Sequence, residues 1–128
     1  MRYKILLTRY VNKNLQFYPH PATMEIYWKR EKLKKEVEVH ANSNRITARR
    51  MVSMKAAVTF SDLRPASQGR AHFLKGKEYA GCFSIDLEDK GNGKRLICVP
   101  RGDFKKDGDQ FIEETITELE VIAIEDYH

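Results

Sequence analysis

The sequence predicts an α+β fold, in which two N-terminal helices pack on one face of a mainly antiparallel sheet of about four strands. Three observations carry this expectation. Met24-Glu25-Ile26-Tyr27-Trp28 alternates as a short strand, helical spacing follows from Arg30 to about Val58, and the chain after Tyr79 reads as strands separated by turns.

Arg30 to His40 is expected to form a short, charged helix, with Leu33 and Val37 four residues apart on its buried side. Ala41-Asn42-Ser43-Asn44 breaks it, and either Ser43 or Asn44 can cap the next helix. From Arg45 to about Val58, Ala48, Met51, Val52, Met54 and Ala57-Val58 fit one buried stripe, which places Arg45, Arg49 and Arg50 on the solvated side. Arg64-Pro65 to Gly69 is a turn. Tyr79 to Leu87 sets Phe83, Ile85 and Leu87 on one face. Asp89-Lys90-Gly91-Asn92-Gly93 turns the chain, and Lys94 to Val99 returns until Pro100 stops it. Arg101 to Gln110 reads as a mobile polar loop. Ile116 to Glu125 is the last strand, and its apolar residues at both parities between Val121 and Ile124 place it in the interior of the sheet. Residues 1–23, closed by Pro19-His20-Pro21, form a separate N-terminal extension; residues 24–128 form the domain.

A chain of 128 residues with 41% hydrophobic and 32% charged residues is an ordinary globular domain, with no apolar run long enough for a membrane span. Cys82 and Cys98 are too few for a disulfide framework and read as small core or surface residues on adjacent strands, so a cytoplasmic protein is expected. The net charge of +5 is unevenly spread. Arg2, Lys4, Arg9 and Lys13 face no acid in residues 1–23. Residues 24–76 hold 12 basic against 5 acidic side chains, and residues 77–128 hold 7 against 13. A local basic face able to meet phosphate is implied, rather than a uniform nucleic-acid coat.

Two segments carry potential chemistry. Arg70-Ala71-His72-Phe73-Leu74-Lys75-Gly76 projects an arginine, an imidazole and an ammonium from one short extended piece. Asp126-Tyr127-His128 ends the chain, directly after the last strand, with an acid, a phenol and an imidazole. Metal-free RNA cleavage needs such a set: a base for the 2′-hydroxyl, an acid for the departing 5′-oxygen, and cations for the charge on phosphate. Each segment taken alone is better read as a solvated stretch of polar residues.

Four stretches together resemble the HigB-type toxins of the RelE/ParE toxin–antitoxin superfamily. They are Met24-Glu25-Ile26 with Lys32-Leu33; Asp62-Leu63-Arg64 with Arg70 to Gly76; Gly81 to Leu87 with Lys94-Arg95-Leu96-Ile97; and Ile122 to His128, which ends in Asp-Tyr-His. The resemblance covers residues 24–128 and implies a RelE-like compact sandwich. It also implies a ribosome-dependent mRNA endonuclease acting in the A site of the 30S subunit without metal or cofactor, with a HigA-like helix-turn-helix antitoxin as partner. Carried over by position, His72 and His128 share the base and acid roles in either order. Lys75 and Arg95 hold the scissile phosphate, Asp126 orients an imidazole, and Tyr127 stacks on a base or bonds the ribose. Arg70 is then an RNA-backbone contact, and Arg45, Arg49 and Arg50 are candidates for contact with ribosomal RNA. Residues 1–23 have no counterpart in the resemblance, and the Arg101–Gln110 loop is longer and more acidic than is typical of the family.

Three other readings compete. A toxin of the same fold could inhibit a protein such as DNA gyrase without cutting RNA, and would have no need of the histidines. An inactive nucleic-acid-binding domain would be indifferent to losing them. In the blandest reading Tyr127 packs back on the sheet and His128 is a solvated end.

Overall fold

The computed structural model describes residues 23–88 and 93–126. Residues 1–22 of the expected 1–23 extension, residues 89–92 of the expected 89–93 turn, and the candidate site residues Tyr127 and His128 lie outside the described residues. Among those described, the chain is α+β: two helices, a mixed five-stranded sheet and a small two-stranded ribbon. No described helix is long and apolar enough to cross a membrane.

Strand β1 (Glu25–Trp28) leads into α1 (Glu31–Ser43) and α2 (Arg45–Ala56). Leu33 and Val37 are buried as their spacing predicts. The break falls at Asn44, whose side-chain oxygen accepts from Thr47 N at 3.0 Å and caps α2. The carboxylate of Glu88 fastens this corner to the sheet, accepting from Asn44 Nδ2 (3.2 Å) and Lys94 N (2.8 Å). The buried stripe of α2 keeps the expected Met54, with Ala57 buried just beyond the helix, but otherwise differs from the expected one. Thr47, Arg50 and Met54 face the core, Met51 is half-buried, and Val52 is 68% exposed. Val52 lies two residues beyond Arg50, about 200° around the helix, so burying one exposes the other.

Strands β2 (His72–Phe73), β3 (Phe83–Asp86), β4 (Lys94–Arg101) and β7 (Glu118–Asp126) pair antiparallel in that order, and β1 adds parallel to the far side of β7. The fifth strand is the His72 segment itself. Cys82 precedes β3, and the expected start of that strand at Tyr79 is a turn. β4 runs through Pro100 to Arg101. Beyond Cys98, β3 no longer flanks it, so the missing proline N–H deprives no ladder. β7 is interior, between β1 and β4, as expected. Ile97 opposes Ala123 but Cys98 opposes Val121, so Ile122 is an extra residue, a bulge that lets Val121 and Ile124 both face the helices.

The predicted mobile loop is instead a small ribbon of β5 (Lys106–Asp107) and β6 (Gln110–Phe111). The Phe111 ring stacks on Phe73 at 4.4 Å. Phe73 stacks in turn on Phe60, which meets Phe83 edge-on at 4.7 Å. Phe60 sits on a short 3₁₀ turn (Phe60–Leu63) begun by reciprocal capping between Thr59 and Asp62. With Leu63, Ile85, Leu87 and Leu96, this aromatic column is the centre of the core.

Phe60→Ala, at a fully buried ring, is expected to cost about 3–5 kcal/mol in urea unfolding. Val52→Ala is expected to change stability by less than about 0.5 kcal/mol.

Candidate functional site

Register decides which side chains can meet. His72 lies opposite Ser84, Asp86 opposite Arg95, and Arg95 opposite Glu125. Directly opposed residues project on one side of a sheet, as do residues two apart on a strand. His72, Ser84, Asp86, Arg95 and Glu125 therefore share the face turned away from the helices. Phe73, Phe83, Ile85, Leu96 and Cys98 share the other face, with the core. From strand spacings, the Cα atoms of His72 and Arg95 are roughly 12 Å apart, a separation that their side chains can span toward one phosphodiester.

The half-buried imidazole of His72 is held at both nitrogens. Nδ1 lies 2.7 Å from the carbonyl of Arg70, and Nε2 lies 3.5 Å from Ser84 Oγ. A carbonyl only accepts, so in the neutral ring Nδ1 carries the proton and Nε2 keeps its lone pair. Arg70, at φ 49°, turns that carbonyl onto the ring, and its Nε donates to the buried carboxylate of Asp86 at 2.8 Å. The preceding Gly69, at φ 120°, is tightly seated: a Cβ there would come within 2.8 Å of Ile85 Cγ2 and 3.1 Å of Arg50 Cδ.

Arg95 Nη2 donates to Glu125 at 3.0 Å, the Tyr79 hydroxyl donates to the same carboxylate, and the guanidinium lies 5.8 Å from the Tyr79 ring centre. The hydrogen bond to Glu125 holds the Tyr79 phenol above its ordinary value of 10.0, with desolvation and the negative charge of Glu125 adding to it. Asp126 is the expected carboxylate of this site, yet it pairs with Lys94 (3.2 Å) at the opposite parity, the side of Leu96 and Ile124. The acids on the His72 face are Asp86 and Glu125, and the one paired with Arg95 is Glu125. Glu125, Ser84 and Asp86 escape sequence reading because only strand register brings them to His72 and Arg95, and Tyr79 because it reaches Glu125 from the turn before β3. Lys75 is exposed just beyond β2 and makes no ion pair among the described residues.

The helix arginines separate. Arg45 and Arg49 are exposed, but on the helix layer, across the sheet from His72. Arg50 is not on a solvated face: at 6% exposure its Nε donates to the carbonyl of Asp86 and its Nη1 to that of Ser67, both at 2.7 Å. It closes backbone groups between α2, β3 and the loop before β2, which is a structural duty. Cys82 and Cys98 are free and buried, and burial pushes both thiols up, Cys98 far more, so they belong to the core. Among the described residues, no group of three or more His, Cys, Asp or Glu side chains is arranged to hold a metal ion.

No protein-family model, no curated protein and no solved structure matches this chain.

Arg50→Ala is expected to lose about 2–4 kcal/mol by stranding two carbonyls, against less than about 0.5 kcal/mol for Arg49→Ala, both read by chemical denaturation. Glu125→Gln is expected to bring the Tyr79 phenol back toward 10, read by near-ultraviolet absorbance across a pH titration. The sign follows from a folded-state value raised above the unfolded one. The contribution of the protonated phenol is complete below pH about 10 and is lost as pH rises through the folded-state value.

Proposed function

We propose that this chain is an endoribonuclease that cleaves mRNA by acid–base chemistry, acting as the toxin of a type II toxin–antitoxin pair. The observation that carries the reading is the common face of His72 and Arg95, with the imidazole anchored through Nδ1 so that Nε2 is its working nitrogen. In the forward reaction Nε2 takes the 2′-hydroxyl proton, O2′ bonds to phosphorus, and the bond to the 5′-oxygen breaks. The products are a 2′,3′-cyclic phosphate and a 5′-hydroxyl. The second proton carrier in this proposal is His128, which by sequence follows β7 two residues after Asp126. Arg95 exchanges its Glu125 partner for the phosphate, where a guanidinium can form two parallel hydrogen bonds, and Lys75 adds a point charge. Tyr127 is assigned to the base or ribose.

On this reading the substrate is mRNA in the 30S A site, so the protein works in the cytoplasm. A helix-turn-helix antitoxin of the HigA type restrains it. Arg45 and Arg49, displaced to the helix layer, serve only as distant contacts to ribosomal RNA. A second reading, inhibition of a protein target such as DNA gyrase, draws support from one observation. Arg70 and Arg95 both have carboxylate partners, which lowers the field available to phosphate.

Induction in growing bacteria with mapping of mRNA 5′ ends separates the two readings. Growth arrest with new cleavages is expected, and His72→Ala is expected to reduce cleavage roughly 100- to 10,000-fold while the protein stays folded by circular dichroism. Arrest without cleavage, unchanged by His72→Ala, would establish the protein-target reading instead.

A further inference from the structure

The helix layer holds a groove remote from the face of His72. It opens beside β1, which ends the sheet among the described residues, and has a volume of about 360 Å³. Met54 forms its floor and is buried. Ile26 and Trp28 of β1 and Met51 of α2 wall it, each packed on the core but half-buried. Lys34 of α1 and Lys55 of α2 line the rim, and no acid lines it among the described residues. Glu25 N donates to the carbonyl of Thr117, just before β7, and Lys29 N to that of Val121 on β7, so strand alternation turns the N–H and C=O of Ile26 and Trp28 away from β7.

An apolar floor framed by cations selects its occupant. Apolar side chains displace water from the two methionines and the indole, and thioethers adapt to the shape presented. The two ammonium groups favour a segment that brings carboxylates to them. Residues 1–22 supply four cations and no acid, the wrong charge for this rim.

We infer that this groove docks an acidic amphipathic segment of another polypeptide, its apolar side chains seated on Trp28, Met51 and Met54 and its carboxylates on Lys34 and Lys55. The site is independent of the RNA-cleaving reading, since none of these residues belongs to the His72 face. Docking of this kind follows the helix-in-groove mode, in which a few apolar anchors carry the affinity and charges set the choice of partner.

Trp28 is the single tryptophan of the chain and lines the groove, so its fluorescence reports occupancy directly. The full-length protein would be titrated with a synthetic peptide carrying leucines at helical spacing among glutamates, and with the same peptide carrying lysines for glutamates. A saturable change in Trp28 emission with the glutamate peptide alone is expected. Lys34→Glu combined with Lys55→Glu is expected to weaken binding about tenfold or more and to shift preference to the lysine peptide. Met51→Ala is expected to weaken binding of the glutamate peptide. Equal binding of the two peptides, or no saturable change in a folded protein, overturns the inference. So does a Trp28 signal that depends only on protein concentration and tracks dimer formation in sedimentation, because a second copy would then hold the groove.

Discussion

The register of β4 on β7 is the constraint on which the rest of the molecule depends. It is the longest pairing in the sheet, running from Lys94 opposite Asp126 to Arg101 opposite Glu118, and the single bulge at Ile122 divides it. Strand side chains alternate with period two, so a slip of one residue would exchange every core residue for a surface one. With the observed register, Leu96 and Cys98 enter the core, and Arg95 falls beside Glu125 and Asp86. The bulge resets parity once, so that Val121 and Ile124 both serve the core while Ala123 and Glu125 take the other side. The choice of Glu125 over Asp126 as the acid near Arg95 is settled by this one feature.

The face created in this way is one of engaged charges. Arg70 is held by Asp86, Arg95 by Glu125, and Glu125 also receives the Tyr79 hydroxyl. Such pairing fixes the guanidinium planes at little cost in side-chain freedom, and an incoming phosphate has to compete with a carboxylate already in place. The half-buried His72 depends on the same scaffold, since the carbonyl that orients its ring comes from Arg70, a residue in the left-handed region after a glycine with no room for a side chain.

The molecule thus presents two surfaces with different chemistry. The side of the sheet away from the helices carries imidazole, hydroxyl, carboxylate and guanidinium groups in fixed mutual positions. The helix layer carries exposed Arg45 and Arg49 and, beside β1, the apolar groove rimmed by lysine. Arg50 stands between them as a tie. Its guanidinium is spent on the carbonyls of Asp86 and Ser67, so it stabilises the junction from which Arg70 and His72 are presented.

Much of the architecture was legible along the chain because it depends on local periodicity. The alternation of β1, the Leu33–Val37 spacing of α1, the cap at Asn44, and the interior position of β7 follow from residues that are neighbours in sequence. The buried face of α2 was not legible, since a long arginine is placed inside only when carbonyls from two distant segments converge on it. Nor was the ribbon that replaces the expected loop, which forms because Phe111 finds Phe73. The site divides in the same way. The sequence by itself determined that an imidazole and cations occur in one short stretch, and that the chain closes with an acid, a phenol and an imidazole. Tertiary structure decided that His72 and Arg95 share a face, that Glu125 and Tyr79 join Arg95 there, and that Asp126 and the helix arginines do not. Strand register and the bulge are long-range pairings, and no local pattern encodes them.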